Sequence, residues 1–402
     1  MPPDPQMPAG SLDDFLALCG KRAWWARVAD LGARAVPHSL SGRAVLARHA
    51  LELALARLCD GKALAQASPA ERRLCRYAQE AVRLAASLPA GPRARLRELV
   101  LEGLTGEATL IPLFHLLRTA SGLTARGFGV RFTGLAEGTP HDLLIARGEA
   151  VAEVVCETVS AEEGRRVHRG DWCALVDRIH PELQTWLAAH PGRYLLKLTL
   201  PEGLSGPDDL AQLHQRISAL LLAERRQDAG AQAVLKLDPL VLAGALAQER
   251  AAAGLPARLR AQFGPEAHLA VTTDPGSGSV FVMAARAGRE NEIAAAACRH
   301  LALAAETRLS GTRPGILALF LEDLDRTEWR ALREQLELEG AVRRFLMTPP
   351  ARPAVAVSCA TRMELFGCAP PDAAAEGELR FRNPAHPQAK HPGLAPAITS
   401  SV

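Results

Sequence analysis

The residues best suited to chemistry lie between positions 139 and 170. Asp142 follows Thr139-Pro140-His141, and Glu157 sits inside the valine-rich run Ala152-Glu153-Val154-Val155-Cys156-Glu157-Thr158-Val159-Ser160. An unpaired carboxylate is costly to bury, so Glu157 needs a partner, a proton or a metal. Two converging carboxylates can hold a hard cation such as magnesium, which wants oxygen ligands in a tight octahedron. Such a metal polarises a phosphate and lowers the pKa of a bound water. Strand alternation puts Glu153, Val155 and Glu157 on one face. Glu153 lies about 13 Å from Glu157 along an extended strand, too far to act beside it. The plainer solution is an arginine partner, with Arg131 and Arg165 as candidates. Asp142 can equally be an ordinary turn or strand-start aspartate.

The positive side chains offer less choice. Lysine occurs only at Lys21, Lys62, Lys197, Lys236 and Lys390, and the remaining basic residues are arginine. With abundant Ala and Gly this reads as a high-GC, bacterial-type composition. Arginine cannot replace a titrating amine, so Lys197 in Tyr194-Leu195-Leu196-Lys197-Leu198 is the candidate catalytic amine. Its alternative is a lysine that snorkels to water from a half-buried strand. Arg165, Arg166, His168 and Arg169 form the densest basic cluster nearby and are candidates for phosphate contacts. Glu162, Glu163 and Asp171 nearly cancel that charge, which favours a solvated helix start.

The elements that would carry these residues can be read from periodicity. Residues 1–104 are expected to be helical, with Ser68-Pro69-Ala70-Glu71 as a capped helix start. Glu107 to Ala120 continues as helix. Gly127–Gly134, His141–Ala146 and Ala150–Val159 read as three strands, Arg169–Ala189 as helix and Arg193–Leu200 as a fourth strand. Residues 205–262 read as a helical connector with a short strand at Ala233–Leu237. Residues 263–382 read as a mixed α/β region with a hairpin at His268–Thr273 and Val280–Ala285. It continues with helix at Asn291–Thr307 and a strand at Gly315–Leu321. The Pro-, Ala- and Ser-rich stretch 383–402 is expected to be disordered.

The order helix, three strands, helix, strand across residues 105–204 resembles the restriction-endonuclease-like αβββαβ core of the PD-(D/E)XK nuclease superfamily. Thr139-Pro140-His141-Asp142 matches its first acidic element. The strand Ala152–Ser160 looks like the third strand of members that read E-V-E-C-K-T-V-S. Gly164-Arg165-Arg166-Val167-His168-Arg169 is similar to the stretch that follows it. The resemblance implies Asp142, Glu157 and the Cys156 carbonyl as metal ligands, magnesium as cofactor and phosphodiester hydrolysis in DNA or RNA. It departs from the family pattern at two positions: the second acid aligns with Val155 and the lysine with Glu157, a degenerate site. Some members carry an acid at that second position.

The rest of the chain excludes more than it assigns. It has 402 residues, 48% hydrophobic, with a formal net charge of +3, which rules out a largely disordered chain and a uniformly basic coat. No apolar run reaches the roughly 20 residues of a membrane helix, and Met1–Gly10 does not read as a signal peptide. Eight cysteines form no CxxC pair, which points to reduced thiols in a cytoplasmic protein. No phosphate-cradling glycine loop, GxSxG elbow or spaced zinc motif occurs. The expectation is a multi-domain α/β protein: helical N-terminal region, nuclease-like core, mixed α/β C-terminal region. Its function is metal-dependent phosphodiester hydrolysis with a non-standard site. The alternative is a catalytically inactive nuclease-fold module that binds nucleic acid, or a protein through the helical N-terminal region. Catalysis requires that Asp142 and Glu157 converge within reach of one metal and that no arginine fills the space between them.

Overall fold

The computed structural model of the chain describes residues 11–36, 39–240, 259, 262–264, 266–274, 276–361 and 378–401. Cys368 and most of the connector beyond 240 lie outside the described residues. The chain divides into two units: residues 1–34, 46–163 and 294–402 form one, and residues 35–45 with 164–293 form the other.

The first unit opens with helices α1 (Ser11–Cys19), α2 (Lys21–Arg34), α4 (Ala50–Leu58), α5 (Gly61–Ala65), α6 (Pro69–Ser87) and α7 (Ala90–Glu102); α3 (Leu40–Arg48) spans the boundary between the units. The helix start expected at Ser68 is present. The Ser68 hydroxyl accepts from the Glu71 amide, and the Glu71 carboxylate accepts from the Ser68 amide at 2.7 Å. Leu74, Cys75, Ala78, Ala81 and Ala85 form the buried stripe of α6, spaced by threes and fours.

The helices lead into α8 (Ile111–Ala125) and a six-stranded sheet ordered β1-β2-β3-β9-β10-β11. Strands β1 (Gly129–Arg131), β2 (Leu143–Arg147) and β3 (Ala150–Ser160) make an antiparallel meander, with a short helix α9 (Thr133–Glu137) between the first two. Beyond β3 come β9 (Gly315–Glu322) and β10 (Ala354–Thr361), both parallel to it, and antiparallel β11 (Leu379–Arg382). Every residue of β9 is buried, as a central parallel strand covered on both faces requires. One face packs Val154, Ile316 and Val355 against Leu116, Ala120 and Leu123 of α8. The other packs Val155, Val159, Leu317 and Leu319 against Ala297, Leu301 and Ala304 of α12 (Ile293–Arg308). Helices α13 (Arg326–Glu334) and α14 (Glu337–Phe345) join β9 to β10.

The second unit holds α10 (Arg169–Ala189), α11 (Pro207–Leu222) and a five-stranded sheet ordered β5-β6-β4-β8-β7. Its strands are β4 (Arg193–Leu200), β5 (Gln227–Ala229), β6 (Val234–Pro239), β7 (His268–Asp274) and β8 (Ser279–Ala287). The hairpin expected at 268–285 is β7 and β8, paired antiparallel.

Two expectations change. Residues 105–204 are not one contiguous core, because β4 belongs to the five-stranded sheet rather than to the sheet of β1–β3. The helix and parallel strand that follow the meander are α12 and β9, and the segment between β3 and α12 forms the second unit. Burial patterns explain the difference. β4 exposes Arg193, Lys197 and Thr199 on one face, as a strand with a solvated side does, whereas β9 is apolar on both faces. Residues 383–401 are ordered rather than disordered. Asn383 is buried and donates to the Ala354 carbonyl at 2.9 Å, and Leu394, Ala397 and Ile398, the last two from the short helix α15 (Ala395–Ile398) beside β10 and β11, pack into the core shared with Val355 and Ala356. Its proline content marks tight turns here, not an absence of apolar anchors.

Candidate functional site

Asp142 stands immediately before β2, and its backbone amide donates to the Val154 carbonyl at 3.0 Å. β2 starts opposite Val154, so the Cys156 amide on the same edge lies beyond the reach of its backbone ladder. The Asp142 carboxylate takes that place: its Oδ2 accepts from the Cys156 amide at 2.7 Å. Glu157 is the next residue on β3. It shares the face of Val155 and Val159, toward α12, as the alternation requires.

The two carboxylates converge on one point, and a guanidinium fills it. Arg308, the last residue of α12, donates Nη2 to Asp142 Oδ1 at 2.8 Å and Nη1 to Glu157 Oε1 at 2.5 Å. Its Nε donates to the Pro140 carbonyl at 2.9 Å, and Nη1 lies 3.4 Å from the Cys156 carbonyl. The three groups proposed as metal ligands thus face one planar cation that belongs to the chain. The partner of the carboxylates is therefore neither of the arginines named from sequence. Arg131 pairs with Glu137, and Arg165 lies buried in the second unit. Nothing local to residue 308 signals this role. A hint was available in the chemistry: two acids flanking an apolar strand need a cation, and α12 ends on an arginine just before the parallel strand beside β3.

Electrostatics follow the geometry. Burial pushes the Asp142 carboxyl up from its ordinary value, while Arg308 and the Cys156 amide pull it down; burial dominates. For Arg308 burial works to lower the value, but the charges of Asp142 and Glu157 outweigh it and the direction is up. Burial, helped by the Asp142 charge, pushes the Cys156 thiol well above its usual range, so it is neutral and inert. Arginine stays charged throughout and carries no exchangeable water. It pairs with both acids and offsets one of their two negative charges, yet it cannot generate a hydroxide as a metal does. With Arg308 in place the donor set does not fit a divalent cation, and no cluster of three or more His, Cys, Asp or Glu able to hold a metal occurs among the described residues.

The remaining candidates are occupied with structural contacts. Glu153 is buried rather than solvent-facing, because the loop after α12 satisfies it: the Ser310 amide and hydroxyl donate to it at 2.9 and 2.7 Å. Lys197 lies in the five-stranded sheet and pairs with Asp238 at 3.2 Å. Arg166 pairs with Glu292 at 2.7 Å, and its amide donates to Asn291. His168 immediately precedes α10 without a side-chain capping bond and faces Asp171 at 3.7 Å, while Arg169 is the first residue of that helix.

No family model, no curated protein and no solved structure matches this chain. No helix among the described residues is long and apolar enough to cross a membrane.

Proposed function

We propose that this chain is a non-hydrolytic binding module on a nuclease-like core, with Arg308 standing where such enzymes hold magnesium. The observation that carries this reading is the guanidinium shared by Asp142, Glu157 and the Cys156 carbonyl. The order α8, β1, β2, β3, α12, β9, with β9 parallel to β3, supports the resemblance, with the second unit inserted between β3 and α12. A fixed arginine preserves the fold of such a site while removing its means of activating water. The favoured partner is a protein, met through the helical N-terminal region. Binding of DNA or RNA is disfavoured because the basic cluster is spent internally: Arg165 is buried and Arg166 is paired with Glu292. A cytoplasmic setting accords with seven described cysteines that form no disulfide.

The test is incubation of the protein with DNA and RNA substrates in magnesium or manganese. Wild type, Asp142→Ala, Glu157→Ala and Lys197→Ala should all leave the substrates intact. Metal-dependent cleavage by wild type that vanishes in the Asp142 and Glu157 variants sinks the proposal. Salt-sensitive nucleic-acid binding weakened by Arg165→Ala and Arg169→Ala would replace the protein partner with a nucleic acid.

A further inference from the structure

The five-stranded sheet of the second unit ends on a strand without the usual protection of an edge. β7 pairs with β8 alone, and the register runs from His268 opposite Ala285 to Asp274 opposite Ser279 without a bulge. The Val280 amide donates to the Gly192 carbonyl and the Gly288 amide to the Leu200 carbonyl, so even-numbered residues along β8 bond toward β4. Its odd-numbered residues therefore bond toward β7, where they meet even-numbered partners. That leaves the N–H and C=O groups of Leu269, Val271 and Thr273 pointing away from the sheet, and no described residue bonds them. Val271 is half-buried and Thr273 exposed. Edge strands of monomers are normally short, or blunted by lysine, proline or a bulge. Between its ends β7 has none of these: Leu269-Ala270-Val271-Thr272-Thr273 is uncharged and rich in β-branched residues.

We propose that β7 pairs antiparallel with β7 of a second copy of this chain, across a two-fold axis at Val271. A two-fold interface needs a self-complementary surface, and β7 is one in this register. Leu269 falls opposite Thr273 of the other copy, Val271 opposite itself, and Thr273 opposite Leu269. These are the residues with outward groups, so each pair exchanges two backbone bonds. Between them Ala270 falls opposite Thr272. At each end His268 of one copy meets Asp274 of the other, an imidazole against a carboxylate. Hydrogen bonds from the Ser277 hydroxyl and from the Gly276 and Ser277 amides pull the Asp274 carboxyl below its ordinary value, so it is anionic at neutral pH. His268 rests against Trp172 of α10, with ring centroids 6.1 Å apart, and pairing leaves that contact in place. Alternation puts His268 and Asp274 on the same face of the strand, so the two side chains meet across the axis. No like charges fall opposite each other, which would oppose the pairing.

Sedimentation equilibrium on the full chain reads the association. Wild type should form a concentration-dependent dimer. Val271→Pro removes an outward donor but no bond to β8, so it should weaken association about tenfold or more. Val271→Lys sets two ammonium groups opposite each other, and Val271→Glu two carboxylates. Each of these variants should be monomeric alone, and an equimolar mixture of the two should associate. That rescue is specific to a register centred on residue 271. Amide hydrogen exchange tests the wild type without any substitution: Leu269, Val271 and Thr273 should be protected in the dimer and lose that protection on dilution. A monomeric wild type overturns the proposal, as does a dimer that Val271→Pro and Val271→Lys leave intact. So do amides whose exchange is unchanged by dilution, or a mixture that stays monomeric while both variants unfold as cooperatively as wild type.

Discussion

Arg308→Ala is the perturbation with the clearest expected size. The side chain is about a quarter exposed, 28%, and each carboxylate is 23% exposed, so the pair sits between two measured regimes. Exposed ion pairs contribute about 0.2–1 kcal/mol, whereas removing one partner of a buried pair costs roughly 3–5 kcal/mol. Arg308 also bonds the Pro140 carbonyl, and its loss leaves Asp142 and Glu157 facing each other without a cation. We expect a loss of about 2 kcal/mol at neutral pH, discounted from the fully buried figure for the remaining solvent access. At roughly 2–4 °C per kcal/mol for a unit of this size, Tm should fall by about 4–8 °C. Part of that cost is repulsion between the acids, so Glu157→Gln in the Arg308→Ala background should restore roughly 1 kcal/mol or more, a coupling that a double-mutant cycle reads directly. Arg308→Lys should fall between the two, because one ammonium cannot span acceptors that a planar fork reaches together. Urea unfolding of the four variants is the assay. A loss below about 1 kcal/mol for Arg308→Ala, or additive effects of Arg308→Ala and Glu157→Gln, would refute the reasoning.

Two further outcomes test the surrounding structure. His115 is buried against Phe320 with Nε2 2.9 Å from the Ala318 carbonyl, and burial pulls its imidazole down to about 3. The unfolded chain binds that proton near pH 6.5, so stability is full above that value and falls as pH drops toward 3, by up to about 1.4 kcal/mol per pH unit; His115→Gln should flatten this acid limb in a pH series of urea midpoints. Leu394 is 1% exposed in the core shared with Val355 and Ala356, so Leu394→Ala should cost about 2–5 kcal/mol in the same assay, whereas a disordered tail would give no change.

The sequence made individual elements legible and hid their pairing. The Ser68 capping box, the hairpin of β7 and β8, and the valine-rich β3 follow from local chemistry, and all three are present. Which parallel strand lies beside β3 is a non-local choice between β4 and β9. The discriminating signal was burial on both faces: Gly315–Glu322 has it, and the exposed Lys197 of β4 argues against that strand. The same limit applies to the site. Asp142 and Glu157 do converge from sequence elements read correctly, and the shared face of Glu153, Val155 and Glu157 follows from alternation. Their partner lies at the far end of a helix separated from β3 by the whole second unit, and the loop after that helix supplies Ser310 to Glu153 in the same way. No spacing rule reaches across such an insertion. Arg131 and Arg165 were plausible only because they are near in sequence.

The most direct test of Arg308 as a built-in cation is manganese binding, followed by electron paramagnetic resonance and calorimetry on wild type, Arg308→Ala and Arg308→Ala with Asp142→Asn. Wild type should bind no stoichiometric manganese at this position. Arg308→Ala should bind one ion and regain stability as manganese is added, by about 2.7 kcal/mol at a hundredfold excess over Kd. The double variant should lose that ion. One manganese ion bound to wild type and released by Asp142→Asn or Glu157→Gln would contradict the assignment, since the guanidinium and the metal cannot share the same carboxylate oxygens.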